Sequence, residues 1–227
     1  MLRKTIANIR LIKMFLSLFW NNPKILFQNI YYNYLSKQVK RGNGDNCYIL
    51  IYPHCKIELQ TGAEIDLNAS LYLGKPTIKG GTRESRLLMR KDSIFEVNGP
   101  VEFSDGFDIQ IQKEGKLILD KFHSNIDLEI SCGARIQTCG EVFCGRHVRI
   151  KDFNGHLVSS EVYPFKAPIK IENHVWICTG STINPGCVIG SGSVISDNSN
   201  VINDVPQNVL VQGNPAKIID YNIKFKI

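Results

Sequence analysis

Residues 171–205 read IENHVW ICTGST INPGCV IGSGSV ISDNSN VINDV, and the spacing inside this stretch decides the fold. Ile171, Ile177, Ile183, Ile189, Ile195 and Val201 open successive groups of six, and small residues recur at the fifth place as Ser181, Cys187, Ser193 and Ser199. Six suits neither a helix, which repeats at 3.6, nor a long strand, which repeats at two. It does suit very short strands joined by tight turns, each turning one aliphatic side chain into a narrow core. Glycine and asparagine gather between the aliphatics, where turns need residues that tolerate positive φ.

The pattern spreads upstream from there. Ile130, Ile136, Val142 and Val148 keep the same step. Weaker versions run through Leu59, Ile65 and Leu71, and through Met89, Phe95, Val101 and Phe107, with Ile111 and Leu117 in another register. Residues 45–220 therefore read as one all-β solenoid in which each turn buries its apolar face only by stacking on neighbours. From Val148 to Ile171 the step is 23 residues, which is not a multiple of six. The text between, DFNGHLVSSEVYPFKAP (152–168), is polar and contains Gly155, Pro164 and Pro168, so a loop over about 151–168 leaves the scaffold. Long loops on rigid scaffolds are where function concentrates.

With 227 residues, 43% of them hydrophobic, the chain has enough apolar material for a sizeable core. Its net charge of +6 is local. Arg3, Lys4, Arg10, Lys13, Lys24, Lys37, Lys40 and Arg41 precede the first acid, Asp45, leaving 19 positive against 21 negative residues in the remainder. A slightly acidic solenoid without a basic, aromatic-interleaved face argues against nucleic acid as a partner. The basic segment, 1–44, places Ile6, Ile9, Ile12, Phe15, Leu16 and Phe19 at helical spacing, and a second helix follows Pro23. No apolar run reaches the ~20 residues of a spanning helix, and no cleavage site follows. This amphipathic arm either lies on an anionic membrane face or caps the end of the solenoid. Residues 221–227 form a short tail.

Seven cysteines, an odd number without an export signal, point to reduced thiols in the cytoplasm. There is no C-x-x-C, so no metal is expected.

The hexapeptides, VWI at 175–177, INPGCVIG at 183–190, and the closing DVPQN (204–208) and GNPAK (213–217) resemble the left-handed β-helix acyltransferases, particularly the branch that O-acetylates sugars and polysaccharides. The resemblance covers about half of the chain, from near Asn125 to Lys217. It implies a left-handed parallel β-helix shaped as a triangular prism, a homotrimer with sites in grooves between subunits, and acetyl-CoA as donor. An alcohol is a poor nucleophile at neutral pH, and histidine is the residue type suited to take its proton. His156 stands at the start of the loop, where the family has its general base.

The same resemblance assigns further positions. Thr179 would offer a backbone N–H to the oxyanion, and Asn125 and Trp176 would contact the acceptor, although Asn125 also reads as a turn residue and Trp176 as a subunit contact. Asp152 would orient His156 or cap a turn, the turn being favoured. Thr179, Ser181, Ser199 and Lys217 are the positions implied for the donor. Two departures stand out: Cys178 replaces the family's glycine after VWI, and Ile202–Asn203 replaces a threonine and lysine before DVP, leaving Lys217 or Lys224 to meet the phosphates. Cys178 occupies a turn position and reads as structural. The expected activity is acetyl transfer to a hydroxyl of a sugar or surface-polysaccharide precursor, at the inner face of the membrane if the arm binds there. The alternatives are an N-acyltransferase acting on an amino sugar nucleotide, or a non-catalytic scaffold or sugar-binding module.

Overall fold

The computed structural model describes residues 2–42, 47–156 and 164–226. Short strands of two to six residues wind around three sheets, here faces A, B and C, in the repeating order A, B, C. Among the described residues the strands pair in parallel apart from a closing hairpin, Val209–Gly213 against Ala216–Tyr221, and a single antiparallel bridge, Phe153 to Lys166, at the foot of the later loop. This is the parallel β-helix of hexapeptide repeats that the sequence predicts.

Coil length follows the text. Ile177 pairs with Ile195 and Ile183 with Val201, each eighteen residues on, or three hexapeptides. Val142 pairs with Val175, 33 residues on, because the 152–168 excursion intervenes. The early coils are longer. Ile57 pairs with Leu87, thirty residues on, because a second excursion at 76–84 leaves the corner between face B and face C. The ladder residues Ile130, Ile136, Val142, Val148, Ile171, Ile177, Ile183, Ile189, Ile195 and Val201 are all buried in one continuous core. Where early strands run to four or five residues, phenylalanine fills the broader section: Phe103 lies 5.4 Å from Phe107 and 5.7 Å from Phe122 between ring centroids.

A stack of parallel strands has an open edge at each end, with backbone groups ready to pair with another chain. At the C-terminal end the hairpin covers face B. At the other end the helical arm does so. Helix α1 (Leu2–Phe19) and helix α2 (Pro23–Ile30), the latter continuing as a π turn over Tyr31–Leu35, pack Phe15, Phe19 and Ile25 against Leu50. Asn29 and Asn33, one helical turn apart, then serve the terminal strand Ile49–Ile51 with their side-chain amides. Asn29 accepts from the Ile51 N–H (2.9 Å) and donates to the Ile51 carbonyl (2.9 Å). Asn33 does the same at Ile49, at 3.0 and 2.7 Å. Two buried amides thus take the place of a missing strand.

The capping half of the arm's expected role is therefore present, but the arm keeps a second apolar surface. Ile9, Ile12, Leu16, Leu18, Trp20, Phe27 and Leu35 are exposed. No helix among the described residues is long and apolar enough to cross a membrane. The expected boundary between 44 and 45 falls outside the described residues, as do positions 157–163 of the predicted loop.

Replacing Asn29 or Asn33 with alanine leaves a buried N–H and a buried carbonyl of the terminal strand unpaired, a cost of about 2 kcal/mol for each variant. Urea denaturation checks this, and unchanged stability in both variants would show that the strand edge does not need them.

Candidate functional site

The corners of the prism, not its faces, gather the predicted residues. The BC corner, where chain passes from face B to face C, stacks one turn over the next through backbone bonds. Asn125 N–H donates to the Cys144 carbonyl (2.9 Å), Gly145 N–H to Ile177 (2.7 Å), and Cys178 N–H to Ile195 (2.8 Å). Asn125 is exposed on this corner, and its Oδ1 accepts from the Ile126 N–H at 2.8 Å. Thr179 is exposed two coils further on. Its carbonyl accepts from Asn198 at 2.8 Å, while its N–H has no acceptor among the described residues. Gly145 keeps that N–H accessible, since a Cβ there would lie 2.7 Å from the Thr179 nitrogen. An unengaged N–H beside a glycine is a ready donor for a developing negative charge.

Ser181 and Ser199 belong to the same corner but face inward. The Ser181 hydroxyl donates to the Ser196 carbonyl (2.8 Å) and accepts from the Ser199 N–H (3.3 Å), and the Ser199 hydroxyl accepts from the Gly213 N–H (3.2 Å). Both are buried and committed to the turn, so their side chains are not free to hold a donor molecule, contrary to the expectation for them.

His156 lies on a different corner, CA, where the loop departs after strand Arg149–Lys151. Two devices fix the base of that loop. Asp152 is fully buried and accepts from the Gly133 N–H and, at 2.8 Å, from the Ala134 N–H of the preceding coil. Burial pushes its pKa up, against the opposite pull of the Gly133, Ala134 and Arg135 N–H groups. Its carboxylate is therefore engaged by the turn of the coil beneath, which it caps. Asn154 braces the two sides of the loop. Its N–H donates to the Phe165 carbonyl (2.9 Å), its Nδ2 to the Pro164 carbonyl (2.8 Å), and its Oδ1 accepts from Lys151 Nζ (3.1 Å). Gly155 follows at φ +71°, and His156, whose N–H donates to the Asn154 carbonyl (2.8 Å), is exposed just beyond the brace.

Trp176 points outward from face B and is 39% exposed, with its ring 6.1 Å from Phe225 of the tail. The same Phe225 stacks on His174 at 4.3 Å. Lys217 is exposed on the closing hairpin, beyond the last coil. His54, His147 and His174 sit at turns with φ of 64°, 55° and 57°. Cys178 is buried, and desolvation, aided by Asp197, lifts its thiol to about 11, which suits structure and not nucleophilic attack. No group of three or more metal-ligating side chains occurs among the described residues.

No family model matches the chain. Individual relatives do. A Saccharomyces cerevisiae protein named for acetyl transfer, YJL218W, is 38% identical over 104 residues, covering 44% of this chain and 53% of its own. The galactoside O-acetyltransferase of Escherichia coli is 35% identical over 129 residues, 54% of this chain and 59% of its own. The resemblance to the hexapeptide-repeat acetyltransferases is borne out. This chain spans a little over half the length of those relatives. Among solved structures, the polySia-specific acetyltransferase NeuO is 22% identical, covers 85% of this chain and 84% of its own, and has a TM-score of 0.46.

One part of the structure was not foreseen from the sequence. The 76–84 excursion lies on the BC corner, and with it come Arg83 and a buried carboxylate, Asp105. Its signal was present as KPTIKGGTRE (75–84), polar, with a proline and paired glycines like the later loop.

With its thiol raised to about 11, Cys178 holds about a hundredfold less thiolate at pH 8 than an unperturbed cysteine near 9. Iodoacetamide at pH 8 should leave it unmodified in the folded protein, as read by peptide mass mapping. Alkylation at the rate of a free thiol would show the burial to be wrong.

Proposed function

We propose that the protein is an O-acetyltransferase that moves an acetyl group from acetyl-CoA to a hydroxyl of a sugar or surface-polysaccharide precursor. The observation that carries this is the exposed His156, fixed at the foot of a braced loop on a hexapeptide prism whose curated relatives bear acetyltransferase names. Bound acetyl-CoA would supply the acyl thioester. The open Thr179 N–H on the BC corner fits a thioester carbonyl, and Lys217 remains free to meet a phosphate, whereas Ser181 and Ser199 could contribute only through backbone.

His156 takes the proton of the acceptor hydroxyl as its oxygen attacks the carbonyl carbon, and returns that proton to the departing sulfur. The products are an ester and a free thiol. Thr179 donates its N–H to the carbonyl oxygen while charge grows there, a contribution of about 3 kcal/mol. Acceptor and donor held side by side need no covalent acyl-enzyme.

The two groups stand on different corners of one chain, CA and BC, separated by the width of face C. They converge when the CA corner of one copy meets the BC corner of the next, which is the arrangement of a closed ring of three. The exposed side of the arm has its own partner in this reading. Ile9, Ile12, Leu16 and Trp20 form an exposed apolar stripe at helical spacing, with Lys13 exposed on the same helix and Lys24 exposed at the start of the next, a combination complementary to an anionic bilayer surface. Attachment there would raise the enzyme's concentration near a lipid-carried acceptor.

His156→Ala should lower kcat by about 10²–10⁴-fold with little change in donor KM, measured as CoA release with a panel of sugars and amino sugars. Turnover within threefold of wild type would remove His156 as the base, and turnover on amines alone would favour N-acylation. For the arm, joint replacement of Ile12, Leu16 and Trp20 by serine leaves the capping residues in place. It should abolish co-sedimentation with phosphatidylglycerol vesicles; equal sedimentation of variant and wild type would refute the membrane contact.

A further inference from the structure

The second excursion, 76–84, roofs a cavity of about 240 Å³ on the BC corner. Pro53, His54, Pro76, Thr82, Arg83 and Asp105 line it. Asp105 is 4% exposed. One of its carboxylate oxygens is used within the fold, accepting from the Thr77 N–H (3.1 Å) and Thr77 hydroxyl (3.0 Å). The other, Oδ2, is buried without a partner. Buried polar atoms are nearly always paired, and a lone carboxylate oxygen is an expensive one to leave unmet.

The chemistry of the walls narrows what could meet it. Oδ2 accepts and cannot donate while ionised, so the missing partner is a donor. A metal ion is disfavoured, because the cavity offers a single carboxylate and counts the positively charged Arg83 among its lining residues. With Arg83 and Asp105 both in the lining, neither an organic cation nor an anion finds walls of only the opposite charge. A neutral molecule rich in hydroxyls remains. Thr82 and His54 add groups that can bond further hydroxyls, and the proline and glycine surfaces offer apolar ground for the C–H face of a ring. A cavity of this size has room for a sugar-sized ring.

Position gives the cavity its meaning. Asp105 stands one coil from Asn125, joined to it through the Asp127 N–H to Asp105 carbonyl bond (3.3 Å), and three coils from Thr179 on the same corner. At ~4.8 Å per coil that is about 14 Å along one edge. Arg83 ties the roof to the same edge through Asp127 (3.6 Å).

We infer that this cavity is a distal saccharide subsite, in which Asp105 Oδ2 accepts a hydroxyl of one sugar unit while another unit of the same glycan lies at Thr179. The inference rests on the acetyltransferase reading for the identity of the proximal site. It makes the acceptor an oligosaccharide and not a lone monosaccharide.

Saturation-transfer NMR with methyl glycosides of glucose, galactose and N-acetylglucosamine, and with their β-linked trisaccharides, tests it on the full chain. At least one trisaccharide should bind about tenfold more tightly than its monosaccharide, the worth of a hydrogen bond to a charged group. Asp105→Asn, which replaces the accepting oxygen, should erase that advantage. Gly81→Val should erase it independently, since a Cβ at Gly81 lies 3.2 Å from Oδ2 and its methyls fill the space. Circular dichroism confirms that each variant is folded. The subsite is refuted if no sugar of the panel binds, or if the trisaccharide advantage survives both variants. Acetyl transfer is scored separately: trisaccharide binding without any turnover would sustain the subsite and defeat the enzymatic reading, and monosaccharide turnover without a trisaccharide advantage would do the reverse.

Discussion

A single coil of this protein cannot bury its own aliphatic residues. Each inward isoleucine or valine is covered only by the residues directly above and below it, so the structure exists as a stack or not at all. This constraint fixes where everything else can go. Faces must stay regular to keep Ile136 over Ile169 and Val142 over Val175. Length can be added only at corners, where a detour leaves the pairing on either side intact. Both excursions obey it, at the BC corner for 76–84 and the CA corner for 152–168. The stack must also be closed at its ends, and the Asn29–Asn33 pair does that with four hydrogen bonds from one helix.

The rigidity of the stack is what makes corner positions useful. Thr179, Asn125 and Asp105 are fixed relative to one another by a column of backbone bonds, so the BC corner is a ruled edge along which an extended ligand can be registered. On the CA corner the demand differs: a side chain must stand clear of the prism yet be held. Asp152 anchors the loop's first residue into the coil beneath, and Asn154 binds its two sides together before His156 emerges. Neither residue need touch a substrate for its loss to matter.

The solenoid was legible because its signal is repetitive, and the inward row from Ile171 to Val201 is buried as its period requires. The later loop was legible because 23 residues is not a multiple of six. The earlier one was hidden by arithmetic: Leu71 and Met89 lie eighteen residues apart, so the ladder ran through the insertion without a visible break. Side-chain direction was beyond the text. Spacing placed Ser181, Ser199 and Asp152 near the right corners, but only packing shows that their oxygens are engaged by backbone N–H groups inside the turns. The arm's double role was also only half visible, since helical periodicity marks an apolar face without saying whether one stripe or two will be covered.

In the proposed reading, His156 on the CA corner and the Thr179 N–H on the BC corner come from neighbouring copies. Subunit mixing tests this most directly: His156→Ala disables one corner, and Gly145→Val, whose side chain presses on the Thr179 nitrogen, disables the other. Each variant alone should be inactive, and co-expressed chains should recover about a quarter of wild-type turnover, the share of neighbouring corners in which both halves are intact. Mixed oligomers that recover no turnover would place both groups within one chain and contradict the shared site.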